Sequence, residues 1–139
     1  MIEFHVPGDP IPQGSKKAFA RGSRVVLVEA NTRLKSWRAA VTLAATAAGR
    51  GRVLQGPIQV VLEFTMTRPR TSRREWPTVK PDLDKLTRAI LDGVTDAGLW
   101  KDDSEVCEIL AIKQYGSQPG AKVRLVEGWR SPDAAQATT

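Results

Sequence analysis

Hydrophobic and polar positions alternate cleanly in two places along this chain. Ile2, Phe4 and Val6 are separated by Glu3 and His5, which predicts a short first strand. Ile58, Val60, Leu62, Phe64 and Met66 share one parity while Gln59, Glu63, Thr65 and Thr67 occupy the other, so a longer strand is expected over 58–67. Two further stretches follow a three- and four-residue period instead. Leu34, Trp37, Val41, Ala44 and Ala48 mark one helix, with Asn31 as its expected N-cap and Gly49 as its stop. Leu83, Leu86, Ile90, Val94 and Ala97 mark a second, closed by Gly98 as the C′ residue. About fifteen residues at 1.5 Å rise make that second helix a rod of roughly 22 Å.

The other segments are read from shorter signals. The β-branched run Val25–Val28 is expected to be a strand ending a hairpin-like region. Glu105–Tyr115 reads as a buried strand and Lys122–Glu127 as another, with the turn 116–120 between them. Residues 7–15 hold three prolines and two glycines and read as a loop, and 54–57 as a turn. Thr87 and Thr95 are taken as neutral surface, and His5 as a structural strand residue. The element order is then β, β, α, β, α, β, β. The expected fold is α+β: a single mixed β-sheet with two helices packed on one face. One domain over 1–127 is expected, with 128–139 a polar tail that does not order.

Composition narrows the function. The 139 residues are 41% hydrophobic and carry four tryptophans, enough for a packed core. No apolar run reaches membrane-spanning length and no signal-peptide pattern opens the chain, so a soluble intracellular protein is expected. One cysteine, Cys107, rules out an internal disulfide and a cysteine-rich metal site, and one histidine argues against a histidine-based zinc centre or a Ser–His–Asp triad. The net charge of +6 and pI near 9.9 favour a polyanionic partner.

Candidate chemistry concentrates in 80–105, KPDLDKLTRAILDGVTDAGLWKDDSE. Asp82 and Asp84 open the second helix, and Asp102 and Asp103 follow it. Capping explains one aspartate at a helix start, and Pro81 is a common starting residue. It explains two less well. Inside a helix, residues two apart point about 200° apart, whereas in extended chain they share a side. For both to meet one cation, Asp82 must lie no deeper than the cap. The acidic clusters sit at opposite ends of the rod unless 105–115 returns along it. Asp84, Arg88 and Asp92 repeat at four-residue steps, which fits either a salt-bridge ladder or an arginine held one turn from a cation. The loop 68–79, RPRTSRREWPTV, supplies four arginines and one acid directly before the first pair. Clustered carboxylates flanked by arginines suit a cation and the phosphates around it. Trp76 fits base stacking or an interface equally well.

The block Pro81-Asp82-Leu83-Asp84, helix, Gly98-Leu99-Trp100-Lys101-Asp102-Asp103, together with the opening Gly8-Asp9-Pro10-Ile11-Pro12-Gln13-Gly14-Ser15-Lys16-Lys17, resembles the RusA family of Holliday junction resolvases, small phage- or prophage-type endodeoxyribonucleases. The resemblance covers roughly residues 4–126. It implies catalytic, metal-binding carboxylates at Asp82, Asp84 and Asp103, with Asp102 a ligand or a neighbour of one. Two positions depart from the family pattern: Lys85 stands where an asparagine is usual, and Arg88 where a lysine is frequent. Arg88 is then the candidate for stabilising charge, with Lys85 as a second cation beside it. Lys16, Lys17, Arg21, Arg68, Arg70, Arg73, Arg74, Lys80 and Lys85 are the candidate DNA contacts.

The resemblance further implies Mg²⁺ (or Mn²⁺) as cofactor, branched DNA as partner, especially four-way junctions, a homodimer, no membrane, and the cytoplasm of a bacterial or phage-infected host cell. The expected function is Mg²⁺-dependent, structure-selective DNA cleavage that resolves such junctions by paired phosphodiester hydrolysis. Two alternatives stay open: a non-catalytic DNA-binding module whose acids are caps, and a broader branched-DNA or flap nuclease.

Overall fold

The structure, a computed structural model, describes residues 1–14 and 24–130. Four strands form one mixed sheet: β1 (Ile2–Pro7), β2 (Ile58–Met66), β3 (Val106–Tyr115) and β4 (Gly120–Glu127). Their spatial order is β1-β4-β2-β3. β4 pairs antiparallel with β1 and with β2, and β2 pairs in parallel with β3. Helix α1 (Arg24–Gly49) and helix α2 (Leu83–Asp96) pack against this sheet, and a short 3₁₀ turn (Asp103–Glu105) leads into β3. The fold is the expected α+β plan.

Period-two burial positions the core. Ile58, Val60, Leu62 and Phe64 of β2 are fully covered, as are Val6 of β1 and Val123 and Leu125 of β4. Leu86, Ile90 and Val94 of α2 and Trp37 and Val41 of α1 complete this single cluster. The helices meet closely because Gly93 has no side chain: a Cβ there would lie 2.6 Å from Val41 Cγ1. Thr42 Oγ1 also donates to the Gly93 carbonyl at 2.9 Å, and Arg38 reaches Asp96 at 2.8 Å.

Helix α2 ends as expected. Gly98 has φ +73°, its N–H donates to the Thr95 carbonyl, and the Leu99 N–H reaches Val94. These two bonds satisfy orphan carbonyls in a Schellman arrangement. Buried Leu99 and Trp100 then pin the exit into the core.

Four expectations need correction. Val25–Val28 is not a strand; it lies in the first turns of α1, so one expected strand is absent among the described residues. β-branched residues cost only tenths of a kcal/mol in a helix, and an adjoining helix that already exists supplies the nucleus. Asn31 is accordingly interior to α1 rather than its cap. Strand β3 is not buried: it is the sheet edge, and Ile109, Leu110 and Ile112 are exposed. A continuous apolar run cannot by itself distinguish a covered strand from an edge one. Thr87 and Thr95 are not neutral surface either. Thr87 is buried, and Thr95 donates to the Leu91 carbonyl while accepting from Trp100 Nε1 at 2.8 Å.

Candidate active site

Asp82 occupies the N-cap of α2 with φ −71° and ψ 140°, an extended residue at the helix threshold. Its carboxylate makes no capping hydrogen bond. The side chain is half-exposed, with Lys85 Nζ 3.7 Å from Oδ2. Asp84 lies in the first turn and is exposed. Both carboxylates sit at the positive end of the helix dipole. The requirement read from the Asp-x-Asp spacing is met: Asp82 is no deeper than the cap.

Strand β3 does return along α2. Near its far end, Lys113 Nζ donates to the carbonyls of Val79 at 2.8 Å and Pro81 at 2.7 Å. This lysine fixes the chain that delivers Asp82. Near the start of β3, Asp103 opens the 3₁₀ turn and meets Arg88, with NH1 3.4 Å from Oδ2. The ion pair of Arg88 thus goes to Asp103, fifteen residues on, rather than along a helical ladder. Arg88 also lines, with Leu83, Asp84, Thr87, Leu91, Ile109 and Ala111, an open cleft of about 480 Å³ between α2 and β3.

Asp102 caps the 3₁₀ turn, its Oδ2 accepting from the Ser104 N–H at 3.1 Å. Hydrogen bonds from Ser104, the side chain first and then the backbone, hold its carboxyl below the ordinary aspartate value. Its carboxylate is thus committed to the turn that presents Asp103.

The basic loop 68–80 is exposed over most of its length and folds on itself through local bonds. Ser72 N–H reaches Pro69, Arg74 NH1 reaches Thr78 Oγ1, and Arg68 lies over the Tyr115 ring at 5.1 Å. Arg70, Arg73, Arg74, Lys80 and Trp76 are exposed, and Lys85 half-exposed. A second hollow of about 280 Å³ beside the α2 entry is lined by Lys80, Pro81, Lys113, Tyr115, Arg33 and Asp9, among others. Lys16, Lys17 and Arg21, and the tail from residue 131, lie outside the described residues. Lys113 and Arg33 were missed by sequence reading. Lys113 sits inside an apolar strand pattern, where a lysine gives no sign of the carbonyls it will find.

Carboxylate oxygens are the donors a hard divalent cation takes. In donor type Asp82, Asp84 and Asp103 therefore fit such an ion. In placement they do not: among the described residues, no three of Asp, Glu, His or Cys are gathered closely enough to hold one. Asp82 and Asp103 each have a basic side chain beside them instead.

A Bacillus subtilis (strain 168) protein described as "Uncharacterized protein YqaN" is 25% identical over 138 residues, an alignment covering 91% of this chain and 96% of the relative. The family model for Endodeoxyribonuclease RusA matches residues 7–126, a span that contains β1's end, both helices, the Asp-x-Asp entry and the Asp102–Asp103 turn. The chain belongs to the RusA endodeoxyribonuclease family.

Proposed function

We propose that this nuclease is a Mg²⁺-dependent, structure-selective enzyme, able to use Mn²⁺, that resolves four-way DNA junctions by paired phosphodiester hydrolysis as a homodimer in the cytoplasm. The observation that carries the reading is Asp82. It takes the cap position of α2 yet leaves its carboxylate out of the cap, beside exposed Asp84 and directly after an arginine-rich loop. A purely structural cap would bond the free N–H groups of the first turn.

The chain's own groups divide the work. Arg70, Arg73, Arg74 and Lys80 hold backbone phosphates, fixing register without reading sequence. Arg88, always protonated, offsets negative charge at the cleft and cannot act as a base. Asp82, Asp84 and Asp103 would be the oxygen donors for a cation, which would neutralise phosphate charge when bound. For the three to share one ion, Asp103 has to exchange Arg88 for it and Asp82 has to turn from Lys85.

The separation of the carboxylates favours a second reading, a DNA-binding module without catalysis. Labelled four-way junction, fork and linear duplex, each incubated with and without Mg²⁺, separate the readings. Paired cuts in the junction alone, only with Mg²⁺, are expected. Equal cutting of the fork makes the protein a broader branched-DNA nuclease, and retained binding with no cutting makes it the module.

A further inference from the structure

The hollow beside the α2 entry holds groups that the proposed cleavage does not use. It encloses about 280 Å³, near the lower end of the roughly 300–1,000 Å³ of small-ligand pockets. Pro10, Pro69, Pro77 and Pro81, with Met66 and Val79, supply apolar walls, and Pro10 and Pro77 are buried. Each proline fixes its own backbone φ, so four of them hold the hollow's shape before a ligand arrives.

The fold leaves polar groups of this hollow incompletely bonded. The Tyr115 hydroxyl is buried and has no hydrogen-bond partner among the described residues. A hydroxyl kept that way costs stability that a phenylalanine would not. Asp9 accepts from Thr67 Oγ1 at 3.3 Å through Oδ1, and Oδ2 has no partner among the described residues. Lys113 directs two of its three N–H donors to the Val79 and Pro81 carbonyls, which leaves one. Exposed Arg33 and Lys80 add two further cations to the lining.

Fixed apolar walls, a carboxylate acceptor, a hydroxyl and outlying cations match the parts of a nucleotide. A planar base fills the hollow and its phosphate meets Arg33 and Lys80. Asp9 would repel a phosphate inside the hollow, which argues for a base there rather than an anion. We propose that the hollow takes one unstacked nucleobase of the DNA substrate, and that Asp9 selects a base bearing an exocyclic amino group. The inference rests on the DNA-cleaving reading above and adds a specificity subsite to it. An ionised carboxylate only accepts, so it pairs with an amino N–H. The single ring N–H of thymine is flanked by two carbonyls whose oxygens would face the carboxylate. The Tyr115 hydroxyl can bond a ring nitrogen or carbonyl of the same base. Lys80 and Pro81 line the hollow and directly precede Asp82, so a base seated there brings its own strand to the acidic entry. At a branch point stacking is already incomplete, and drawing out one base costs least there.

Short labelled thymine strands carrying one central adenine, one central cytosine or neither test the subsite by fluorescence anisotropy. Divalent metal is left out so that no cutting intervenes. The strands with an amino base should bind about tenfold tighter than the all-thymine strand. Asp9→Asn should bring that ratio to within about twofold, because an amide can donate to thymine as well as accept. Tyr115→Phe should weaken binding of the amino-base strands about fivefold while the melting temperature holds or rises. Equal binding of the three strands by the wild-type protein overturns the proposal. So does an Asp9→Asn protein that keeps the full ratio, or a Tyr115→Phe protein that melts lower at unchanged affinity. A wild-type protein without preference that still cuts a four-way junction with Mg²⁺ loses the subsite and keeps the nuclease reading. One that shows the preference and cuts no DNA keeps the subsite and loses the nuclease reading.

Discussion

Along the flank of α2 that faces α1, almost every group is used. Gly93 admits Val41, Thr42 bonds the Gly93 carbonyl, and Arg38 reaches Asp96. Along the flank that faces β3, the same helix leaves an open cleft, two exposed acids at its entry and an arginine bridged to a distant aspartate. The first flank is a packing surface whose energy comes from excluded water and close contact. The second keeps charge accessible, which adds little stability, since exposed ion pairs contribute at most about 1 kcal/mol. A single helix therefore separates what holds the fold from what acts on a ligand, and the two can be broken independently.

The largest effect should come from the acidic flank. Under the proposed function, Asp82→Asn or Asp84→Asn should lower junction cleavage at least about a thousandfold, on the scale of losing a group that stabilises transition-state charge. DNA binding should persist or tighten, because one negative charge facing phosphate is removed. Thermal stability should move little, as neither carboxylate supports a buried contact. Wild-type turnover by either variant would return these acids to a structural role. The opposite flank should answer in the opposite way. Gly93→Val forces a side chain against Val41 and should cost about 1–3 kcal/mol of stability. Cleavage per folded molecule should be nearly unchanged. Should Gly93→Val melt with wild type, the two helices are not held by close packing.

The same contrast explains what could be read from sequence. The entry to α2 was legible because it is local: the Asp-x-Asp spacing sets Asp82 at the threshold, and Gly98 marks the exit where a positive φ is needed. The paired strands were legible for the same reason, since alternation follows the pleat. What depended on tertiary partners was not. Val25–Val28 joined a helix whose neighbouring turns outweigh its strand preference. The edge position of β3 follows from strand order, which no run of apolar letters encodes. Asp103 finds Arg88 only because β3 folds back, and Lys113 finds two carbonyls for the same reason. The three carboxylates implied by resemblance are present as residues and not as a gathered set, and Lys85 and Arg88 stand beside Asp82 and Asp103.

That last point gives the smallest and most discriminating test. Arg88 is more than half exposed, and its contact with Asp103 is 3.4 Å long, so removing it should change the melting temperature very little. Two roles remain for it. If Arg88 stabilises charge on the substrate, Arg88→Ala should lower cleavage roughly tenfold or more, and Arg88→Lys should recover most of the loss because only a positive charge is required. If Arg88 mainly neutralises Asp103, Arg88→Ala frees a carboxylate. Mg²⁺ or Mn²⁺ should then bind more tightly by calorimetric titration, while cleavage holds or rises. We expect both the tighter ion binding and the slower cleavage, since the position faces Asp103 and the cleft together. An Arg88→Ala protein unchanged in ion affinity and in cleavage would show that the β3-facing flank of α2 does its work without this arginine, and would shift the cationic role to Lys85 beside Asp82.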